Sequence, residues 1–364
     1  MNFHGSRRIA AAAFVLAGLS MGAKADPLVV TDLTGREIKL EKPAERVIVL
    51  PVPWASTVVA IDGGTDKLVA MHPEAKLAME EGILGKFFPG TAKITTDIIA
   101  GGETRGFNPN VEAIAALKPD LVIQWGNRKD DVVAPLANAG IPTAAILYGK
   151  EEYARQIMTL LGTAMADTDK LALLLKWRDD TLNKIHEDLA NLPAAEKPKV
   201  AYFFYTTPEF QTEGRNSYTG WIIEQAGGIN AADEVDGWGA VSMEQIVAWD
   251  PDVILLGSFE PGLSVSRIYD DPILSKTKAA KAKRVYKVPV GGARWEPASQ
   301  ESPLGWMWFA ELLHPDRVYF DIRGQVTEMY QKIYGKAPTA AELDEILNMK
   351  MNGTGANYGQ FAAR

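Results

Sequence analysis

One stretch of this chain is written twice. Asn110-Val111-Glu112-Ala113-Ile114-Ala115-Ala116-Leu117-Lys118-Pro119-Asp120 runs into Leu121-Val122-Ile123. Ser242-Met243-Glu244-Gln245-Ile246-Val247-Ala248-Trp249-Asp250-Pro251-Asp252 runs into Val253-Ile254-Leu255. In both copies Pro lies seven residues after Glu, and an apolar run starts two residues after Pro. The same physics applies to each. Asn110 or Ser242 caps a helix by accepting a backbone N–H bond. Glu then sits in the first turn, where the helix dipole favours negative charge. Pro ends the helix, and Asp followed by three apolar residues opens a buried strand. Two copies predict two lobes of similar plan.

The rest of the chain supports an α/β architecture. Leu28 to Leu40 reads as a hairpin turning at Asp32-Leu33-Thr34-Gly35, and Val47 to Leu50 as a buried strand. Helical and strand signals then alternate: helix Trp54 to Ile61, helix Val111 to Lys118, strand Leu121 to Trp125, helix Asp131 to Ala139, strand Thr143 to Leu147. Such alternation implies a mostly parallel sheet covered on both faces. The middle differs. After a helix over Lys150 to Ala166 comes a long one over about Lys170 to Leu192, with Leu171, Leu174, Leu175, Leu182, Ile185 and Leu189 near helical spacing. Roughly 20 helical residues reach about 30 Å, the width of a small domain, so this helix is expected to act as a strut. Strands at Val200 to Tyr205, Val253 to Leu256 and Arg284 to Val288 follow, with helices at Tyr218 to Ala226, Glu301 to Leu313 and Gly324 to Tyr334. Trp306 and Trp308 fall on one of these helices and read as core. The expected division is a signal segment over 1–25, a first lobe over 26–166, a linking helix over 167–193, a second lobe over 194–335, and a closing helix and tail over 336–364.

The first residues carry an export pattern. Arg7 and Arg8 precede an apolar stretch from Ile9 to Leu19, and Ala23-Lys24-Ala25 offers a small-residue cleavage site before Asp26-Pro27. The apolar stretch is shorter than the roughly 20 residues a bilayer demands. A soluble, exported protein is expected. The chain has no cysteine, so it carries neither disulfides nor a lipid anchor on an N-terminal cysteine. Cleavage after Ala25 removes Arg7, Arg8 and Lys24 and takes the formal charge from −8 to −11. An acidic surface argues against nucleic acid as a partner. Catalytic signatures are missing from the chain after the export segment as well: no G-x-S-x-G, P-loop, H-E-x-x-H or G-x-G-x-x-G occurs there. A binding protein, not an enzyme, is expected.

At this point a resemblance can be stated. The chain resembles the periplasmic binding proteins for siderophores, haem and vitamin B12, the class with two Rossmann-like lobes joined by one rigid helix. The residues that carry the likeness are Asp32-Leu33-Thr34-Gly35-Arg36, Phe107-Asn108-Pro109-Asn110-Val111-Glu112, Leu117-Lys118-Pro119-Asp120-Leu121-Val122-Ile123, the central helix, Ala226-Gly227-Gly228-Ile229-Asn230 and Val241-Ser242-Met243-Glu244. It covers about Val29 to Tyr334. It implies a periplasmic, monomeric receptor that hands a captured ligand to the permease and ATPase of an ABC importer. It also implies that one surface Glu per lobe, here Glu112 and Glu244, meets arginines of the membrane subunits.

In such a fold the ligand lies between the lobes, at the loops after the strands' carboxyl ends. The residues expected there are Trp54, His72, Arg105, Trp125, Arg128, Tyr205, Arg215, Tyr218, Trp238, Arg294 and Trp295. Arginines clamp anionic chelates through paired bonds, and aromatic rings stack on flat ligands or hold cations. No direct metal site is expected, because the chain after the export segment has only His72, His186 and His314. The last two sit at positions that read as structural. His72 is the histidine placed to meet a chelate, and a tyrosine such as Tyr205 is a second route to haem iron. No permanent cofactor is expected. The cargo reads as a metal chelate, an iron–siderophore complex first. Haem, cobalamin and molybdate or tungstate are alternatives within the class, and an exported enzyme or a periplasmic adaptor are alternatives outside it.

Overall fold

A computed structural model describes Met1 and residues 27–102, 106–128, 131–260 and 262–363. The expected export segment and Arg105 lie outside the described residues. Two sheets organise the chain. The first is all-parallel, in the order β4-β3-β5-β6, from β3 (Val47–Val49), β4 (Leu68–Met71), β5 (Leu121–Trp125) and β6 (Thr143–Ile146). A preceding hairpin of β1 (Leu28–Thr31) and β2 (Glu37–Leu40) packs beside it. Asp32 makes that hairpin's turn. One oxygen accepts the N–H of Thr34 at 2.9 Å and of Arg36 at 3.0 Å, and the other reaches Ala145 N of β6 at 3.0 Å.

The second sheet has the order β10-β8-β7-β11-β12, with β9 also on β7. Its strands are β7 (Lys199–Tyr205), β8 (Phe210–Glu213), β9 (Ile229–Asn230), β10 (Trp238–Val241), β11 (Val253–Leu256) and β12 (Val285–Lys287). β7, β9, β11 and β12 pair parallel, whereas β8 turns back antiparallel on β7 and β10 runs antiparallel to β8. An antiparallel edge therefore completes a sheet whose centre is parallel. The central strands of both sheets are buried along their middles, which is why they read as continuous apolar runs rather than alternating ones.

The twice-written unit is the same device in both sheets. Asn110 Oδ1 accepts Ala113 N at 3.1 Å to start helix Val111–Ala116, and Ser242 Oγ accepts Gln245 N at 3.2 Å to start helix Met243–Trp249. Each helix is followed by a left-handed residue just before Pro: Lys118 at φ 48° and Asp250 at φ 43°. The Asp after Pro then ties the neighbouring strand. Asp120 Oδ2 accepts Glu45 N at 2.9 Å and Arg46 N at 3.0 Å, ahead of β3. Asp252 Oδ2 accepts Lys199 N at 2.9 Å, at the head of β7. In each lobe the helix–Pro–Asp unit thus aligns two adjacent parallel strands.

Helix Thr168–Leu189 joins the two sheets. Asp167 caps it, accepting Lys170 N at 2.9 Å, and its 22 residues span about 33 Å. It buries Leu174, Trp177, Thr181 and Ile185, and also Arg178. The Arg178 guanidinium pairs with Glu151, donates to Ser299 O at 2.8 Å and lies 4.7 Å from the Trp306 ring centre. Helix Ser302–Leu313 packs on this strut and is buried throughout, so Trp306 and Trp308 are core as expected. One continuous apolar cluster, from Val30 to Phe361, runs through both lobes. Among the described residues no helix is long and apolar enough to cross a membrane.

Candidate functional site

A cavity of about 320 Å³ opens between the two sheets, within the size range of small-ligand sites. Most of the wall comes from strand ends or the turns after them, with Phe107 from the segment before helix Val111–Ala116. The first lobe contributes Val52 and Pro53 after β3, His72 and Glu74 after β4, Phe107, Trp125 at the end of β5, and Tyr148 after β6. The second contributes Phe204 and Tyr205 at the end of β7, Glu213 at the end of β8, Trp238, Phe259 after β11, and Arg294 and Pro297 after β12. Carboxyl ends of parallel strands converge on one crevice, as open α/β sheets require.

The wall is a chain of rings that crosses from one lobe to the other. His72 stacks on Phe107 at 4.7 Å, Phe107 meets Trp125 at 6.2 Å, and Trp125 meets Tyr148 at 6.1 Å. Tyr148 reaches Trp238 of the second lobe at 6.4 Å, Trp238 reaches Phe204 at 5.7 Å, and Phe204 reaches Phe259 at 6.4 Å. An arginine lies over one ring in each lobe: Arg128 is 4.5 Å from the Phe107 centre and Arg294 is 5.0 Å from the Phe259 centre.

The polar groups divide into those already engaged and those not. His72 is fully buried. Its Nδ1 accepts Glu74 N at 3.1 Å, so Nε2 carries the proton and donates to Gly106 O at 2.9 Å. Burial lowers its pKa, and the ring stays neutral. With both nitrogens engaged, His72 offers the cleft its ring rather than a ligating atom. Arg294 is 7% exposed; its Nη1 donates to Ser258 O at 2.9 Å, but its Nε has no hydrogen-bond partner among the described residues. The indole N–H of Trp125 is likewise buried without one. Glu213 is 5% exposed, and one of its oxygens accepts Thr219 N at 3.1 Å. Burial pushes its carboxyl up to about 7, against the opposing hydrogen bonds from Thr219.

Of the residues expected in the cleft, His72, Trp125, Tyr205, Trp238 and Arg294 line it, and Arg128 lies at its rim over Phe107. Four expectations are corrected. Trp54 is 1% exposed and packs in the core of the first lobe, because Val52 and Pro53 take the cleft side of that turn. Trp295 is fully buried, its indole N–H on Glu301 at 3.2 Å. Tyr218 is fully buried and donates to Glu151 at 3.1 Å beside Arg178, so it serves the strut. Arg215 points outward, donating to the carbonyls of Asp233 and Glu234 at 3.2 Å each, and holds a loop. Phe107, Tyr148, Phe204, Glu74 and Glu213 were not foreseen, whereas Phe259 lies on a loop expected at the cleft, Ser258-Phe259-Glu260. Tyr148 directly follows a strand, so the carboxyl-end rule alone would have found it.

Glu112 and Glu244 are both exposed in the first turns of the paired helices. A backbone N–H and Ser242 hold the Glu244 carboxyl below its ordinary range. Among the described residues no cluster of three His, Asp or Glu side chains is placed to hold a metal ion.

The family profile described as "Periplasmic binding protein" matches residues 103–290, more than half of the chain. The chain belongs to the periplasmic binding protein family. It is a two-lobed substrate-binding protein of the class served by ABC importers. A periplasmic solute binding protein from Veillonella parvula DSM 2008 is 34% identical over 90% of this chain and 99% of that one, with a TM-score of 0.81. The molybdate-binding protein MolA of Haemophilus influenzae is 27% identical over 346 residues, 88% of this chain and 95% of its own. The Fe(3+) dicitrate-binding periplasmic protein FecB of Escherichia coli is 24% identical over 252 residues, 68% of this chain and 78% of its own. The relatives are binding proteins, and they differ in the solute their names give.

Proposed function

We propose that this protein captures a metal chelate, a ferric siderophore complex first among the candidates, in the aromatic cleft between its lobes. It then delivers the chelate in the periplasm to the permease and ATPase of an ABC importer. The observation that carries this reading is the unbroken ring wall from His72 to Phe259, which belongs half to each lobe and so engages a ligand only when both lobes contribute. The lobes divide at the strut, with 26–166 and 194–335 as the two halves and 167–193 between them. Glu112 and Glu244, at matching positions on the two halves, are the docking carboxylates. The protein acts by holding its ligand, not by turning it over.

A small bare oxyanion is a poorer fit. Its oxygens need several converging N–H donors. Here ring faces dominate, which repel anions, and two carboxylates join them. The test is isothermal titration of the purified protein with ferric trihydroxamate, ferric dicitrate, haem, cobalamin and molybdate. Saturable submicromolar binding of a chelate, unchanged in composition after release, is expected. Binding of molybdate alone, or of none of the five, would overturn the proposal.

A further inference from the structure

The wall of the cleft is not neutral in kind. Around Glu213 the rings gather into a cage that is open to water at Trp238, which is 61% exposed. Glu213 and Trp238 are directly opposed across β8 and β10, so their side chains share one face of the sheet. Phe204 lies 5.7 Å from the Trp238 ring and Tyr148 lies 6.4 Å from it. Trp125 extends the cage at 6.1 Å from Tyr148. Glu213 thus lines the same cavity as these four rings.

The charges that line the cavity add to this. Its acids are Glu213 and, on the opposite lobe, Glu74. Its lining cation is Arg294, already bonded to Ser258 O and laid over Phe259. Ring faces carry negative quadrupole potential and attract cations, most strongly when the site is shielded from water. A carboxylate behind the rings deepens that attraction. The Nε of buried Arg294 has no hydrogen-bond partner among the described residues, so one donor of the lining cation is unused, while its Nη2 lies 4.0 Å from Glu81. The cleft thus asks for one molecule with acceptor oxygens at one place and a positive group at another.

Resting on the chelate reading above, we propose that the chelate taken here carries a cationic arm, an ammonium or guanidinium. That arm docks in the cage of Trp125, Tyr148, Phe204 and Trp238 against the carboxyl of Glu213, while the metal-binding oxygens face Arg294. Glu213 is then the residue that sorts chelates by charge.

The experiment uses a matched pair of probes: a linear ferric trihydroxamate bearing a free ammonium, and its N-acetylated, neutral twin. Both are titrated into the full protein and into Glu213→Gln, with ferric dicitrate as the anionic third probe. The wild type is expected to bind the ammonium form about tenfold tighter than the twin. In Glu213→Gln, whose amide can still accept the Thr219 N–H, the ammonium form is expected to fall to the affinity of the twin. Equal binding of the twins to the wild type, or a preference that survives in Glu213→Gln, overturns the inference and leaves the chelate reading standing. Binding of ferric dicitrate but of neither twin does the same. Binding of none of the three, with haem and cobalamin also unbound, takes down the chelate reading itself. The comparison of twins on the wild type needs no variant, so misfolding of Glu213→Gln would not rescue the inference.

Discussion

Glu213→Gln makes a prediction about the empty protein that needs no ligand. Burial, with Glu296 adding repulsion, pushes the Glu213 carboxyl from 4.5 to about 7, against hydrogen bonds from Thr219 and Ser217. The folded state therefore keeps this proton until near pH 7, while the unfolded chain releases it near 4.5. Between those values the folded state binds more protons, so stability falls as pH rises through the window. A shift of that size amounts to about 3 kcal/mol once both states are ionised. Gln fixes the neutral form and keeps an oxygen for the Thr219 N–H. The variant is expected to be more stable than the wild type by about 3 kcal/mol at pH 8, and by less than about 1 kcal/mol at pH 5. Urea unfolding at the two pH values, followed by far-ultraviolet circular dichroism, measures both. A variant no more stable at pH 8 than the wild type would refute the reasoning. It would mean that the buried carboxylate is compensated by a partner and does not stand as an uncompensated charge under the cage.

Other outcomes follow from the same geometry. Arg178→Met takes the buried guanidinium from Glu151, which keeps only the partly exposed Arg155, and removes one of the donors to Ser299 O; it should lower the free energy of unfolding by about 1.5–3 kcal/mol in urea titrations. Trp125→Ala opens the ring wall between Phe107 and Tyr148, and should weaken binding of a ferric chelate at least about tenfold by isothermal titration. Glu112→Ala with Glu244→Ala should abolish uptake of radiolabelled chelate by cells while titrations show ligand binding intact; lost binding with intact uptake would contradict the docking role. Binding of a cationic chelate should strengthen from pH 6 to pH 8, as the carboxyl raised to about 7 ionises, and a flat profile over that range would count against Glu213.

The parts of this molecule that repeat or recur were legible in the sequence. Two helix–Pro–Asp units announced two lobes, because capping, helix termination and strand entry each depend on a residue type at a fixed spacing. What the spacing did not disclose was why Asp follows Pro: its oxygen ties the neighbouring strand through Glu45 and Arg46 in one lobe and Lys199 in the other. The strut was placed to within a few residues, since its apolar stripe is long. Short edge elements escaped. Phe210–Glu213 and Trp238–Val241 have four residues each, too few for a period-two pattern to stand out, and they carry Glu213 and Trp238 to the cleft. Residue type also says nothing about which way a side chain turns. Trp54 and Trp295 sit in cleft-side turns, yet both rings pack inward. Arg215 was chosen for its charge, but backbone carbonyls hold it on the surface. The expected arginine clamp has thus become a ring wall with carboxylates in it.

The central claim is that one ligand is gripped by both lobes at this wall. Hydrogen–deuterium exchange of the full protein, with and without saturating ferric trihydroxamate, tests it directly. Protection is predicted in two sets of peptides at once: those containing Val52, His72 and Tyr148, and those containing Phe204, Glu213 and Phe259. Protection in neither set, or in one lobe alone, would contradict capture between the lobes.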